Sequence, residues 1–286
     1  MEVVAAVGGM EWQQGDQRVV LDVASAEVVA ALARVWQRIL EGVDALEPDD
    51  WERPTRCADW TVVDVVNHLG DTGSWVVDII DAAAEGRHST VFDNFEPRGI
   101  PKRLTDAADR SPAVARRRLG EAIEAVRSRL PLLDADGTRD LLLDTPLGKQ
   151  PPAVGLLHLF WDTWLHERDV FLPLGRDVPE LADELRLVTV YTLRMEGYIQ
   201  GLFQRELSLG LVLDGGLRAT AAIELHPAEL RIQFVAPDAT PEAVLRGDAA
   251  AAVDALCGRG EVEAALQGSD EVRSSVSGLR SVLAGA

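Results

Sequence analysis

His158-Leu159-Phe160-Trp161-Asp162-Thr163-Trp164-Leu165-His166-Glu167-Arg168-Asp169 is the stretch whose reading decides how the chain folds. Taken as a helix, it puts His158, Asp162, His166 and Asp169 on one stripe, within about 80° of one another, because residues three and four apart stack on a helix face. Trp161, Leu165 and Leu172 flank the stripe on one side and Leu159 and Val170 on the other, while Phe160, Trp164 and Phe171 cover the back. A helix apolar nearly all round belongs inside a protein. Its imidazoles and carboxylates are therefore expected to be buried, and buried ionisable groups need partners or a bound ion.

Upstream of this segment, Val28, Ala31, Leu32, Val35, Ile39 and Val43 recur at intervals of three and four and predict a helix over 23–46, ending before Pro48. Thr61 and Asp64 form a start resembling a capping box, from which Val62, Val65, Val66, Leu69, Val76 and Ile80 carry a second helix to Ala84. The stretch 86–110, with Pro97, Gly99 and Pro101, has no sustained period and reads as a long loop, and Ser111-Pro112 opens a third helix running to Leu130. Pro151-Pro152 sets the start of the fourth helix, which ends near Gly175, and a further helix is expected over 179–205. After Gly210 the texture changes to short apolar runs at 211–213, 219–225 and 230–235, read as strands. Short helices near 241–256 and 269–283, around a strand at 262–266, complete the expectation. The fold class is α+β: a helical domain over 1–208 and a small α+β domain over 209–286.

The 286 residues, 47% of them apolar, suffice for a substantial core. No apolar run approaches the roughly 18 residues of a membrane span, and the start lacks a basic leader, so a soluble cytoplasmic protein is expected. A net charge of −19 argues against nucleic acid or an anionic membrane surface as partner and for a small molecule or a protein, in a monomer or homodimer. Cys57 and Cys257 are far apart, without a CxxC companion, and read as free, buried thiols. Lys102 and Lys149 are the only lysines against many arginines, and with abundant alanine and valine this suggests a high-GC bacterial genome.

Asp162 and His166, at i and i+4, can reach one ion from one helix face. Two ligands hold a metal weakly, so a third is expected from another helix, and His68, at the edge of the second helix's apolar stripe, is the best candidate. Two histidines and a carboxylate are a catalytic donor set, and bundle cores build such sites from facing helices. His158 is either an alternative ligand or an outer partner. Asp169 either holds the free ring nitrogen of His166 or pairs with an arginine. The competing reading is a hydrogen-bonded polar core, with Trp60, Trp75, Trp161 and Trp164 as filling.

Thr55-Arg-Cys-Ala-Asp-Trp60-Thr-Val-Val-Asp-Val-Val-Asn-His68-Leu-Gly resembles the T-x-C-x-x-W-T-V-x-D-x-x-x-H-L-G signature of the mycothiol-dependent maleylpyruvate isomerase family, within the DinB-like metalloenzymes. Thr145-Pro-Leu-Gly148 and Asp162-Thr-Trp-Leu-His166-Glu-Arg-Asp169 resemble its second signature, and Arg246-Gly-Asp248 to Arg259, then Leu266-Gln-Gly-Ser-Asp270, its C-terminal domain. The resemblance implies a DinB-like four-helix bundle followed by a sterol-carrier-like α+β domain. It also implies a divalent metal, usually Zn2+, with His68, Asp162 and His166 at the three ligand positions. Asp162 departs from the glutamate frequent there, which shortens the arm by one methylene. Mycothiol, an actinobacterial thiol, is implied as cosubstrate for transfer to, or isomerisation of, a small electrophile. Metal-hydroxide hydrolysis and a non-catalytic binding role are the alternatives. Arg218, Arg231, Arg246 and Arg259 are basic residues of the C-terminal domain to which the sequence assigns no role.

Overall fold

The computed structural model describes residues 9–93, 110–133, 141–145 and 147–283. Most of the expected loop over 86–110, and Pro146 within 145–148, lie outside them. In chain order the elements are β1 (Met10–Gln14), β2 (Gln17–Leu21), α1 (Ser25–Asp44), α2 (Val62–Ala84), α3 (Pro112–Leu133), β3 (Leu143–Thr145), β4 (Gly148–Gln150), α4 (Pro152–Phe171) and α5 (Ala182–Leu202). There follow β5 (Leu207–Asp214), β6 (Ala219–His226), β7 (Glu229–Val235), β8 (Val244–Asp248), α6 (Ala249–Leu256), α7 (Val262–Ala265), α8 (Asp270–Ser274) and α9 (Gly278–Leu283). None of the described helices is long and apolar enough to cross a membrane.

The chain forms two compact units, one built on Leu32–Val178 and the other joining the residues up to Ala31 to those from Pro179 onward. The helical unit contains α2, α3, α4 and the Leu32–Asp44 part of α1. α2 and α3 pack closely because Gly70 and Gly73 face Leu119 and Ala122: a Cβ at Gly73 would lie 3.0 Å from the Ala122 methyl. The pairs Arg118–Asp71 and Arg129–Asp81 tie the same two helices at their margin. Gly42 of α1 gives way to the Phe171 ring of α4. Every residue of α4 from Leu159 to Phe171 except Asp162 is buried. Its charges are matched: Arg38 Nε and Nη2 donate to Glu167 at 2.7 and 2.9 Å, and Arg168 lies over the Trp164 ring at 4.8 Å.

The other unit holds a six-stranded mixed sheet in the order β1-β2-β7-β6-β5-β8, parallel at β2/β7 and β5/β8 and antiparallel elsewhere. The β1–β2 hairpin turns at Gly15, whose φ of 60° suits glycine. The sequence reading had not foreseen it. α5 covers the sheet through Gly197, where a Cβ would come within 2.6 Å of Leu230 and 3.2 Å of Ile223. α5 packs with the sheet that follows it, and the unit holding both begins at Pro179, upstream of the division expected at 208/209. Two expectations are corrected. The segment 244–248 is strand, not helix, since it pairs with β5, and 262–265 is a helical turn, not a strand.

The C-terminal motifs serve the fold. Gly247 allows the Ala265 carbonyl close, at 2.2 Å from where a Cβ would sit, and Asp248 caps α6 by accepting from the Ala251 amide at 3.0 Å. Arg246 and Gln267 exchange backbone hydrogen bonds at 2.9 and 2.8 Å. Glu196 of α5 anchors α9: its Oε1 accepts from the Gly278 amide at 3.1 Å and from Gln200 Nε2 at 2.5 Å, and its Oε2 accepts from the Leu279 amide at 2.7 Å. Glu196→Ala strands these donors, each lost buried partner costing about 1–3 kcal/mol, so a loss of about 3 kcal/mol is expected by chemical denaturation. Glu196→Gln keeps one acceptor oxygen and is expected to lose less than half of that.

Candidate metal centre

The site grows from a short loop and two helices. Over 54–61 the chain folds back on itself: Thr55 Oγ1 donates to the Trp60 carbonyl at 3.0 Å and accepts from the Cys57 amide at 3.1 Å, and the Trp60 amide reaches the Cys57 carbonyl at 3.2 Å. Asp59 takes a φ of 64°, which aspartate tolerates better than most residues. α2 then starts at Thr61, whose amide and hydroxyl donate to Asp64 Oδ2 at 2.9 and 2.7 Å, while Arg110 pairs with the other oxygen of Asp64. The capping box read from the sequence is present, with aspartate in the glutamate role. Two turns further on, α2 carries His68 inward.

His68, Asp162 and His166 converge. Asp162 Oδ1 lies 3.5 Å from His68 Nε2 and 3.5 Å from His166 Nε2, and all three donor atoms fall within 4.8 Å of one another. The imidazoles stand edge to face, with centroids 4.9 Å apart. Trp60 walls both, 5.2 Å from His68 and stacked 6.0 Å from His166. Asp162 Oδ2 and His68 Nδ1 are buried without a hydrogen-bond partner among the described residues.

Behind the trio is a second layer. His166 Nδ1 lies 3.0 Å from Asp169 Oδ2, and the Cys57 thiol donates to the same oxygen at 3.1 Å. Arg56 Nε pairs with Asp169 Oδ1 at 3.0 Å, and the Arg56 amide donates to the Asp169 carbonyl at 3.2 Å. Both alternatives for Asp169 are therefore realised at once. From sequence alone Cys57 reads as a free, buried thiol; its signal is its place in the Thr55–Trp60 motif, but no helical period reaches into that loop.

Burial opposes the ionised form of Asp162, yet His166 and His68 hold it well below the usual carboxylate range. Burial likewise works against charge on His166, but Asp162, Cys57 and Asp169 lift it well above the ordinary imidazole range. His158 stands apart from this set. Its ring lies 5.8 Å from Trp161, and burial pushes its imidazole down, with Asp162 working against that and His68 adding to it.

The donor set fits a divalent ion. A tetrahedral ion with N and O ligands at about 2.0–2.2 Å requires donor–donor edges of about 3.4 Å, close to the 3.5 Å separations found here. Two imidazoles and a carboxylate suit zinc. With its Nδ1 against Asp169, His166 presents Nε2 to the trio, the orientation that a carboxylate partner imposes on a ligating histidine.

A model of the mycothiol maleylpyruvate isomerase N-terminal domain matches residues 32–171. Residues 32–171 form a domain of this family. Among solved structures it is similar to the mycothiol-dependent maleylpyruvate isomerase, with a TM-score of 0.62 and 15% identity over 87% of this chain and 94% of that one. A histidine-to-alanine mutant of the same enzyme gives 0.61 and 14% over the same shares. At such identity the likeness speaks for the fold, a helical region followed by a sheet domain, and it extends well past the matched domain. No curated protein matches the chain.

Proposed function

We propose that this protein is a metal-dependent enzyme that uses a low-molecular-weight thiol, mycothiol, to isomerise a small electrophile bearing an activated double bond. Maleylpyruvate, named for the solved relatives, is the first substrate to test. The observation that carries the reading is the convergence of His68 Nε2, His166 Nε2 and Asp162 Oδ1 beside a buried Asp162 oxygen that has no partner among the described residues. Three protein donors are the number that catalytic zinc sites use, the fourth position going to water or a substrate.

A bound divalent ion supplies positive charge that lowers the pKa of an incoming thiol, so that thiolate is present at neutral pH. The chain's own residues prepare for this. Asp169 fixes the His166 ring, Arg56 and Cys57 fix Asp169, and the indole of Trp60 holds bulk water away from both imidazoles. In the reaction the thiolate sulfur bonds to one carbon of the double bond, and the displaced electron pair moves onto the conjugated carbonyl. The resulting single bond rotates, and re-forming the double bond expels the thiolate. Nothing is oxidised and the thiol is regenerated; retention of the C–S bond gives a transferase instead. A reduced thiol pool and two free cysteines suit a cytoplasmic location.

The test is metal analysis of protein purified without chelator, followed by turnover of maleylpyruvate with and without mycothiol. Zinc near one per chain with strictly thiol-dependent isomerisation is expected. Turnover that needs metal but no thiol replaces this reading with metal-hydroxide hydrolysis, and bound metal with no turnover of any electrophile replaces it with a binding role.

A further inference from the structure

Arg194 of α5 is fully buried, with 0% of its surface exposed, and has no carboxylate for a partner among the described residues. Its Nη2 donates to Gln14 Oε1 at 2.6 Å, whereas Nε and Nη1 have no acceptor among the described residues. The guanidinium lies between two aromatic faces, 5.7 Å from the Trp12 ring and 5.4 Å from the Tyr198 ring. Trp12 is also buried, and its indole Nε1 is a third donor without an acceptor among the described residues. Trp12 and Gln14 are two apart on β1 and so project from the same face of the sheet. Every residue named here belongs to the sheet unit.

This is an anomaly for a charge in a protein interior. Removing a cation from water costs several kcal/mol unless an anion or a full set of hydrogen bonds replaces the solvent. The same helix shows the ordinary solution eight residues earlier: Arg186, over the Phe234 ring, pairs with Asp22 at 2.9 Å and Glu27 at 3.2 Å. Around Arg194 the described residues supply donors, aromatic walls and one positive charge without a matching carboxylate. Burial depresses its pKa, and among the described residues Tyr191 and Tyr198 act against that.

We infer that Arg194, Trp12 and Gln14 form a binding site for a small organic carboxylate, separate in its residues from the metal-ligand trio and independent of the reading given for it. The carboxylate accepts from the unpartnered guanidinium nitrogens and the Trp12 indole, and its carbon skeleton lies against the Trp12 and Tyr198 rings. One cation matches one negative charge. The aromatic walls favour an organic acid over inorganic phosphate, which carries more charge and no apolar surface.

The test measures the melting temperature of the full-length, metal-loaded protein against rising benzoate or acetate, with sodium chloride and phosphate at matched ionic strength. A rise with the carboxylates, larger for benzoate and growing with the logarithm of concentration once the site is filled, is expected, since a ligand at free concentration L that is specific to the folded state stabilises it by RT ln(1 + L/Kd). Any part of the shift caused by carboxylate at the metal site persists in Arg194→Met; the part assigned here is lost. Without ligand, Arg194→Met is expected to melt no lower than the parent, because an apolar side chain replaces an unpaired buried charge. A purely structural arginine predicts a lower value. If Arg194→Met does not fold, Arg194→Lys takes its place and is expected to bind benzoate at least about tenfold more weakly, one ammonium replacing a fork of donors. The inference is overturned by equal shifts with phosphate, by an Arg194→Met shift equal to the parent's, by Arg194→Lys affinity within twofold of the parent's, or by no carboxylate shift at all.

Discussion

His166→Ala is expected to reduce bound zinc from about one per chain to below about 0.2 and to cut thiol-dependent turnover by more than about 100-fold, the upper end of what removing an outer partner alone costs. The reason is its double engagement: Nε2 faces Asp162 and Nδ1 faces Asp169, so His166 joins the ligand trio to the layer behind it. His68→Ala removes an equal number of donor atoms but leaves the Asp169–Cys57–Arg56 layer intact. Both variants are expected to be metal-poor and inactive, with the larger loss of thermal stability in His166→Ala, where Asp169 and Asp162 both lose a cationic neighbour. Metal content by mass spectrometry and melting by circular dichroism separate these effects. Retention of zinc and turnover in His68→Ala would remove that residue from the ligand set and end the three-donor reading.

The parts of this site that lie on helices were legible in the sequence. His158, Asp162, His166 and Asp169 share a stripe because the helical period demands it, and the apolar residues around that stripe implied its burial. The resemblance then supplied His68 as their partner. The loop before α2 was opaque for a physical reason: its geometry comes from Thr55 bracing the Trp60 carbonyl and from Asp59 in the left-handed region, and neither leaves a periodic trace. The parts of Cys57 and Arg56 therefore follow only from the structure, which also makes Trp60, readable from sequence as core filling or a pocket wall, a wall of the site. In the sheet unit the misreadings fell on short segments. Five residues at 244–248 become strand because β5 offers a parallel edge, and β2 pairs with β7 across about 200 residues of chain, which no local pattern can announce. Arg194 escaped notice for the same reason, since what buries it is a strand far away in sequence.

The first family signature also acquires a mechanical meaning. Its threonine holds the loop closed, its cysteine and the preceding arginine grip Asp169, its tryptophan walls the imidazoles, and its second threonine and aspartate start the helix that delivers His68. Each contributes one step in placing a single nitrogen atom. Asp162 is served differently: its position comes from α4 alone.

Zinc binding is expected to release at least one proton per ion at pH 6.5, and the apparent affinity is expected to rise with pH until the raised pKa of His166 is passed. In the metal-free fold His166 carries its proton at pH values where an unfolded imidazole, with a pKa near 6.5, has lost it. A group with a raised folded pKa adds stability that is complete below its unfolded pKa and disappears as pH climbs through the folded one. Metal-free protein should therefore lose melting temperature from about pH 6.5 upward, over the interval in which zinc gains affinity, because ion and proton compete for the same imidazole. Asp162 acts in the opposite sense: its depressed pKa adds stability above the ordinary carboxylate range that is lost only in strong acid, so it leaves this window undisturbed. Asp169→Asn tests the coupling. It removes one of the negative groups that raise His166, so both the proton release and the alkaline loss of stability should shrink, and zinc affinity should fall by about 10–100-fold as the ring loses its orienting carboxylate. Calorimetric zinc titrations in two buffers of different ionisation enthalpy give the proton count directly. A count of zero at pH 6.5 in the parent protein would show that His166 is neutral before the ion arrives, and that the charge assignment of the metal-free trio is wrong.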